Sequence, residues 1–139
     1  MKARLVELYD KLSAVYDELY GAEQAVKYLK ALAFVRGDRV LDAGCGTGLG
    51  LPPLYGRYVL CLDLSVEMLK IAKSKDPDAD FVAADAALAP LRPKSFSTAL
   101  AITVFEDLDE ASGLSAYADV VVAESLGRWL IRGPLMRQS

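Results

Sequence analysis

The densest chemical information lies in Leu41-Asp42-Ala43-Gly44-Cys45-Gly46-Thr47-Gly48. Three glycines at alternate positions follow a short apolar run, residues 39–42, that reads as a buried strand. Without a Cβ the backbone can turn sharply and lie directly against a ligand. At the carboxyl end of a central strand, such backbone faces the crevice where open α/β sheets bind their ligands. Two more strands repeat the acidic part of the pattern. Asp63 ends a run at residues 58–63, where a carboxylate can accept from ribose hydroxyls, and Asp85 ends a run at residues 81–85. A structural turn would account for the glycines alone, but not for aspartates ending three successive strands.

The same residues exclude other chemistries. A dinucleotide fingerprint, G-x-G-x-x-G, needs a glycine where Leu49 stands, and no Gly-Lys-Ser/Thr of a P-loop exists. There is no histidine, so a histidine base and His-ligated metals are excluded. Cys45 and Cys61 form no metal pattern and read as a reduced cytoplasmic thiol pair. The net charge is −3 with no clustering of the 16 Lys and Arg, which argues against a nucleic-acid partner. No apolar run approaches the roughly 18–20 residues of a membrane span. Residues 1–20 mix charge with apolar positions and are not a secretory signal. The chain has no Asn and only Gln24 and Gln138, a scarcity of thermolabile amides that points to a thermophilic source.

The elements that must position these residues follow from periodicity. Leu5, Leu8, Tyr9, Leu12, Val15, Tyr16 and Leu19 form one helical stripe, interrupted at Gly21. Ala22, Ala25, Val26, Leu29, Leu32 and Ala33 form a second. Pro52 and Pro53 keep any helix between the first two strands short or deformed. Ser65 caps a helix through Ser74, with Met68, Leu69 and Ala72 inward. Residues 97–103 read as a fourth strand. Leu114, Tyr117, Ala118, Val121, Val122 and Ser125 lie at helical spacing, with Gly127 as a stop, and residues 128–132 read as a fifth strand. Strand and helix in alternation predict an α/β fold, a Rossmann-like doubly wound sheet of about five parallel strands, in a single domain.

With these residues in place, the chain resembles class I S-adenosylmethionine-dependent methyltransferases of the small-molecule type. The likeness rests on the segment from Asp42 to Gly48, on Leu62-Asp63-Leu64-Ser65-Val66-Glu67-Met68-Leu69, on Ala84-Asp85-Ala86, and on residues 96–108, with a weaker match at residues 15–20. The resemblance implies S-adenosylmethionine as cofactor. Gly44, Gly46 and Gly48 would approach its methionine part around Cys45, with Asp42 near the amino group. Asp63 would accept from the ribose, Leu64 and Met68 would pack on the adenine, and Asp85 with the Ala86 amide would meet its edge. Tyr16 and Thr103 would complete the site. Methyl transfer from a sulfonium is an in-line displacement, in which positioning lowers the barrier by roughly 7–11 kcal/mol, so no dedicated base is obligatory. Glu106, Asp107 and Tyr20 are the nearest candidates should the acceptor need deprotonation. Thr103-Val104-Phe105-Glu106 replaces the Asn/Asp-Pro-Pro-aromatic motif of amino-methylating relatives, which disfavours adenine and glutamine acceptors.

The family sheet has seven strands, and the last two, including the antiparallel hairpin, are expected to be missing here. Residues 128–132 would then form a sheet edge, with Trp129 and Ile131 on one face and Leu130 on the other, covered by a homodimer, a partner subunit or residues 135–139. A truncated product of a longer reading frame is the further alternative. Three functional readings follow: a methyltransferase acting on a small-molecule acceptor, a cofactor-binding protein or complex subunit without catalysis of its own, and an NAD-binding oxidoreductase.

Overall fold

In a computed structural model that describes residues 2–134, six strands form one sheet. They are β1 (Arg39–Ala43), β2 (Tyr58–Asp63), β3 (Asp80–Ala83), β4 (Phe96–Ile102), β5 (Ala118–Ser125) and β6 (Arg128–Arg132). Their order is β3-β2-β1-β4-β5-β6. The first five are parallel and β6 runs antiparallel to β5. The order reverses between β1 and β4, so the loops leaving those two strands diverge and open a crevice at their carboxyl ends.

Five parallel strands are present as expected, but the fifth is not residues 128–132. The stretch read as a helix from Leu114 to Ser125 is a run of 3₁₀ turns, Leu108–Ala116, followed by β5. Val120, Val121 and Val122 are stiff at χ1 and suit a strand buried on both faces, and β5 is buried at every position but Asp119. The apparent helical spacing came from a continuous apolar run, which satisfies any period. Leu126 and Gly127, both at positive φ, then form a tight turn of the kind that joins antiparallel strands. An antiparallel strand is therefore present where none was expected. It lies at the sheet edge, with Trp129 and Ile131 on one face and Leu130 on the other. The expected cover by residues 135–139 lies outside the described residues.

Helices cover mainly one face. They are α1 (Lys2–Leu12), α2 (Tyr16–Leu32) and α3 (Val66–Lys75). Tyr28 and Ala31 of α2 and Leu69 and Ala72 of α3 pack in one core cluster with Val40, Val59 and Leu100. The opposite face of the sheet, with Leu41, Leu60 and Val121, is covered by Ala111 and Leu114 of the 3₁₀ run. The break between the first two helices falls at Ser13 to Val15, not at Gly21, which lies inside α2. Ser13 donates to the Asp10 carbonyl at 2.8 Å, giving the backbone a turn to follow in place of the helix. The second stripe also differs from expectation, because Val26 and Leu29 are exposed while Tyr28 and Ala31 carry the buried face. Between β1 and β2 the two prolines permit only a single 3₁₀ turn, Pro52–Leu54.

Candidate functional site

The glycine loop leaves β1 and is fastened at once to β2. The amides of Gly44 and Cys45 donate to the Leu62 carbonyl at 2.6 and 3.1 Å. The Gly46 amide donates to one oxygen of Asp63 at 2.9 Å, and the Ser65 amide donates to the other at 2.9 Å. Asp63 thus ties the loop after β1 to the turn after β2. Burial pushes its carboxyl above the usual range, opposed by the amides of Ser65, Gly46 and Leu64.

Around this junction is a cavity of about 480 Å³, a size typical of small-molecule sites. Gly44, Gly46, Asp63, Leu64 and Met68 line it, as do Asp85, Ala86, Thr103 and Tyr16. Met68 is brought there by α3, whose first turn is capped by Ser65, the hydroxyl oxygen accepting from the Met68 amide at 3.2 Å. Asp85 lies two residues beyond β3, not at its end, and caps a 3₁₀ turn (Ala86–Leu88) by accepting from the Ala87 amide at 2.9 Å. Thr103 follows β4 directly at φ +59°, a strained conformation for a β-branched residue. Its hydroxyl donates to the fully buried Glu124 of β5 at 2.6 Å and accepts from Lys27 of α2 at 3.1 Å. Lys27 also pairs with Glu124 at 3.1 Å. Burial opposes ionisation of Glu124, but the donors from Thr103, Gly127 and Lys27 hold its carboxyl below the usual range.

Three residues of the expected set do not line this cavity. Asp42 is fully buried behind the loop and accepts from the Tyr28 hydroxyl. Cys45 turns into the core, where it forms a disulfide with Cys61 on β2 with Cα atoms 5.5 Å apart, so the pair is not the reduced one expected. Gly48 serves packing, since a Cβ there would lie 2.9 Å from Ala72 on α3 and 2.8 Å from Leu51. Gly44 lets Val104 approach, because a Cβ would come within 2.3 Å of that side chain. A Cβ on Gly46, by contrast, would meet nothing within 4 Å. Of the three candidate bases, Glu106 lines the cavity, Asp107 caps the 3₁₀ run by accepting from the Asp109 amide, and Tyr20 sits beside Tyr16 with ring centres 5.1 Å apart.

Sequence reasoning missed one wall. Leu5, Val6 and Tyr9 of α1 line the cavity, as do Phe105, Glu106 and Glu110. Their stripe reads as core packing, and nothing local distinguishes packing on protein from packing on a ligand. What holds the N-terminal helices here is polar. Asp10 of α1 accepts from the Ser65 hydroxyl, and Asp17 of α2 accepts from Thr47 and from Lys75, which also donates to the Thr47 carbonyl at 2.7 Å.

Comparison with known proteins agrees with this geometry. Residues 41–125 match the family described as a methyltransferase domain. An uncharacterised protein of Methanocaldococcus jannaschii is 40% identical over 106 residues, covering 71% of this chain and 39% of that protein. A demethylmenaquinone methyltransferase of Chlorobaculum tepidum is 33% identical over 116 residues, covering 79% of this chain and 47% of that enzyme. Among solved structures, a complex between the Haloferax volcanii Trm112 methyltransferase activator and a methyltransferase matches with a TM-score of 0.69 at 22% identity, over 83% of this chain and 58% of that chain. The last likeness is one of fold. The chain spans less than half the length of both relatives.

Proposed function

The chain belongs to the methyltransferase domain family, and on that premise we propose that it binds S-adenosylmethionine in the crevice above β1, β2 and β4 and delivers the methyl group to a small-molecule acceptor. The observation that carries this reading is the cradle at Gly46. A Cβ there would stand clear of all protein atoms in the wall of the cavity, while the same loop's other glycines are held by packing. An NAD-binding oxidoreductase is disfavoured by that family match and by the missing third glycine of the dinucleotide fingerprint.

When bound, the cofactor supplies an electrophilic methyl group on a sulfonium. The chain's own residues then have four tasks. The backbone of Gly44 and Gly46 lies against the methionine part, and the negative charge available at Asp42 behind it favours the cationic amino group. Asp63 accepts from the ribose with lone-pair capacity left over from its contacts with the Gly46, Ser65 and Leu64 amides. Leu64 and Met68 bracket the adenine, and Asp85 and the Ala86 amide meet its edge. Thr103 and Tyr16 close the walls and hold the reacting line, and such positioning is the main source of rate in this chemistry. These assignments make Cys45 and Gly48 supports of the loop.

The acceptor side has apolar walls from Leu5, Val6 and Phe105, the carboxylates of Glu106 and Glu110, and no Lys or Arg among the described lining residues. Such a wall favours a neutral or cationic acceptor over a phosphate or carboxylate. An apolar quinone, as in the name of the Chlorobaculum relative, is of that kind. Incubating the chain with methyl-labelled S-adenosylmethionine and a panel of neutral, cationic and anionic small molecules tests the activity. Transfer confined to the anionic members would contradict this assignment of the acceptor side.

A second reading is supported by the place of β6 at the end of the strand order. In it the chain is one subunit of a methyltransferase assembly, with a partner paired along that edge. Co-purification from the source cell separates the two readings. No described helix is long and apolar enough to cross a membrane. We place the chain in the cytoplasm of a thermophile, a setting in which a disulfide such as Cys45–Cys61 persists inside the cell.

A further inference from the structure

Helix α2 buries one face on the sheet and leaves another bare. Tyr28 and Ala31 are buried, whereas Leu19, Val26 and Leu29 keep 59%, 51% and 61% of their surface exposed. Ala22, and Ala33 in the capping position just past the helix, are exposed beside them. Positions 19, 22, 26, 29 and 33 are three and four residues apart, the spacing of a and d positions in a coiled-coil seam two heptads long. Exposed apolar residues are ordinary when scattered, and their alignment along one helix is what marks a docking face. None of the five lines the cavity, so a partner on this stripe leaves the crevice open.

We propose that a second copy of this chain docks on this stripe, α2 against α2 in antiparallel orientation about a two-fold axis. The charges beside the stripe select this occupant. In the same heptad frame, Glu23 and Lys30 occupy successive e positions with opposite sign, and both are exposed. In an antiparallel pair, e positions face e positions of the other helix. A two-fold axis therefore sets Glu23 of each copy against the partner's Lys30, twice over, as an isologous interface requires. In that register Val26 meets the partner's Leu29, and Ala22 meets the partner's Ala33, where small side chains let the helices approach. A parallel pair would oppose e to g positions. The g positions in α2 are Glu18, Ala25 and Leu32, so Glu23 would face Glu18 and Lys30 would face an alanine. Among the described residues Glu23 has only a long ion pair to Lys27, at 3.6 Å. The inference concerns assembly and stands whether or not the methyltransferase reading holds.

Sedimentation equilibrium across a concentration series tests it. The wild-type chain should move from its monomer mass of 15.0 kDa toward twice that value as concentration rises. Leu29→Lys should remain monomeric at every concentration, with an unfolding midpoint close to that of the dilute, monomeric wild type because Leu29 keeps 61% of its surface exposed. Lys30→Glu should weaken the dimer about tenfold, since two opposite-charge contacts become two like-charge contacts. Adding Glu23→Lys to it should restore most of the loss. A wild-type chain that stays at monomer mass overturns the proposal. So does a dimer that Leu29→Lys leaves intact, which would place the contact elsewhere, such as the β6 edge.

Discussion

The Tyr28 hydroxyl donates to one carboxylate oxygen of Asp42 at 2.9 Å, with both residues buried between α2 and the sheet. The other Asp42 oxygen has no hydrogen-bond partner among the described residues. Burial pushes the Asp42 carboxyl up to about 7. The Tyr28 donor opposes that rise and the nearby charge of Asp63 adds to it. Gly50 fixes the arrangement, because a Cβ there would come within 2.4 Å of the Tyr28 ring. The acid behind the glycine loop is therefore poised near neutrality, and under the proposed reading it ionises when the cofactor's cationic amino group binds.

This poise has a definite sign. Between the ordinary value of 3.8 and about 7, the folded chain holds a proton on Asp42 that the unfolded chain has lost. Stability from this group therefore falls as pH rises through that window, by at most about 4 kcal/mol. Asp63 is also raised and acts in the same direction. Asp42→Asn should flatten the pH dependence of the thermal midpoint between pH 4 and 7 while weakening cofactor binding at neutral pH. Tyr28→Phe removes the donor that favours the ionised form, so the pH at which cofactor binding is half lost should move upward. Pairing with a charged group is worth roughly 1.5–3 kcal/mol, so affinity at neutral pH should drop by about one to two orders of magnitude. A Tyr28→Phe binding profile that overlays the wild type would remove Tyr28 from this role.

The loop's glycines should separate into two classes by mutation. Gly46→Ala places a methyl group where no protein atom stands, at φ +57°, so it should cost the fold only about 1 kcal/mol. Binding should nevertheless be lost. Gly48→Ala forces a methyl group to within 2.9 Å of Ala72, and overpacking of that kind costs about 1–3 kcal/mol on top of the strain at φ +82°. Paired thermal melts and cofactor titrations of the two variants would show it, and equal effects on both readouts would erase the distinction.

The disulfide should act as a staple between the loop and β2. It closes a separation of 16 residues, for which removing chain entropy from the unfolded state stabilises by about 3 kcal/mol. Cys45→Ala/Cys61→Ala should melt about 10 °C lower than the oxidised wild type. Identical melts would mean that the three hydrogen bonds from Gly44, Cys45 and Gly46 to β2 already hold the loop alone.

Much of this was legible in the sequence because the determining interactions are local. The glycines, the aspartate at the end of β2 and the Ser65 cap each follow from backbone geometry within a few residues, and β2 falls at the expected boundaries. What was not legible depends on residues far apart. The run from Ala118 to Ser125 satisfies both a helical period and a fully buried strand, and only its pairing with β4 decides. Tyr28 and Asp42 are 14 positions apart and Thr103 and Glu124 are 21 apart, and neither pair carries a sequence signature. The helical stripe from Leu5 to Leu19 promised a core face, yet Leu5 and Tyr9 face a cavity. Hydrophobic periodicity marks an apolar face, not what lies against it.

The most direct measurement is titration calorimetry with S-adenosylhomocysteine, run on the wild-type chain and on Asp63→Ala, with NAD as the control ligand. Saturable one-site binding to the wild type and no useful NAD binding are expected. Asp63→Ala should lose about one to two orders of magnitude in affinity, because it gives up the proposed ribose contacts, worth roughly 1.5–3 kcal/mol, and frees the Gly46 amide. Tighter binding of NAD than of S-adenosylhomocysteine, or unchanged affinity in Asp63→Ala, would contradict the proposed site.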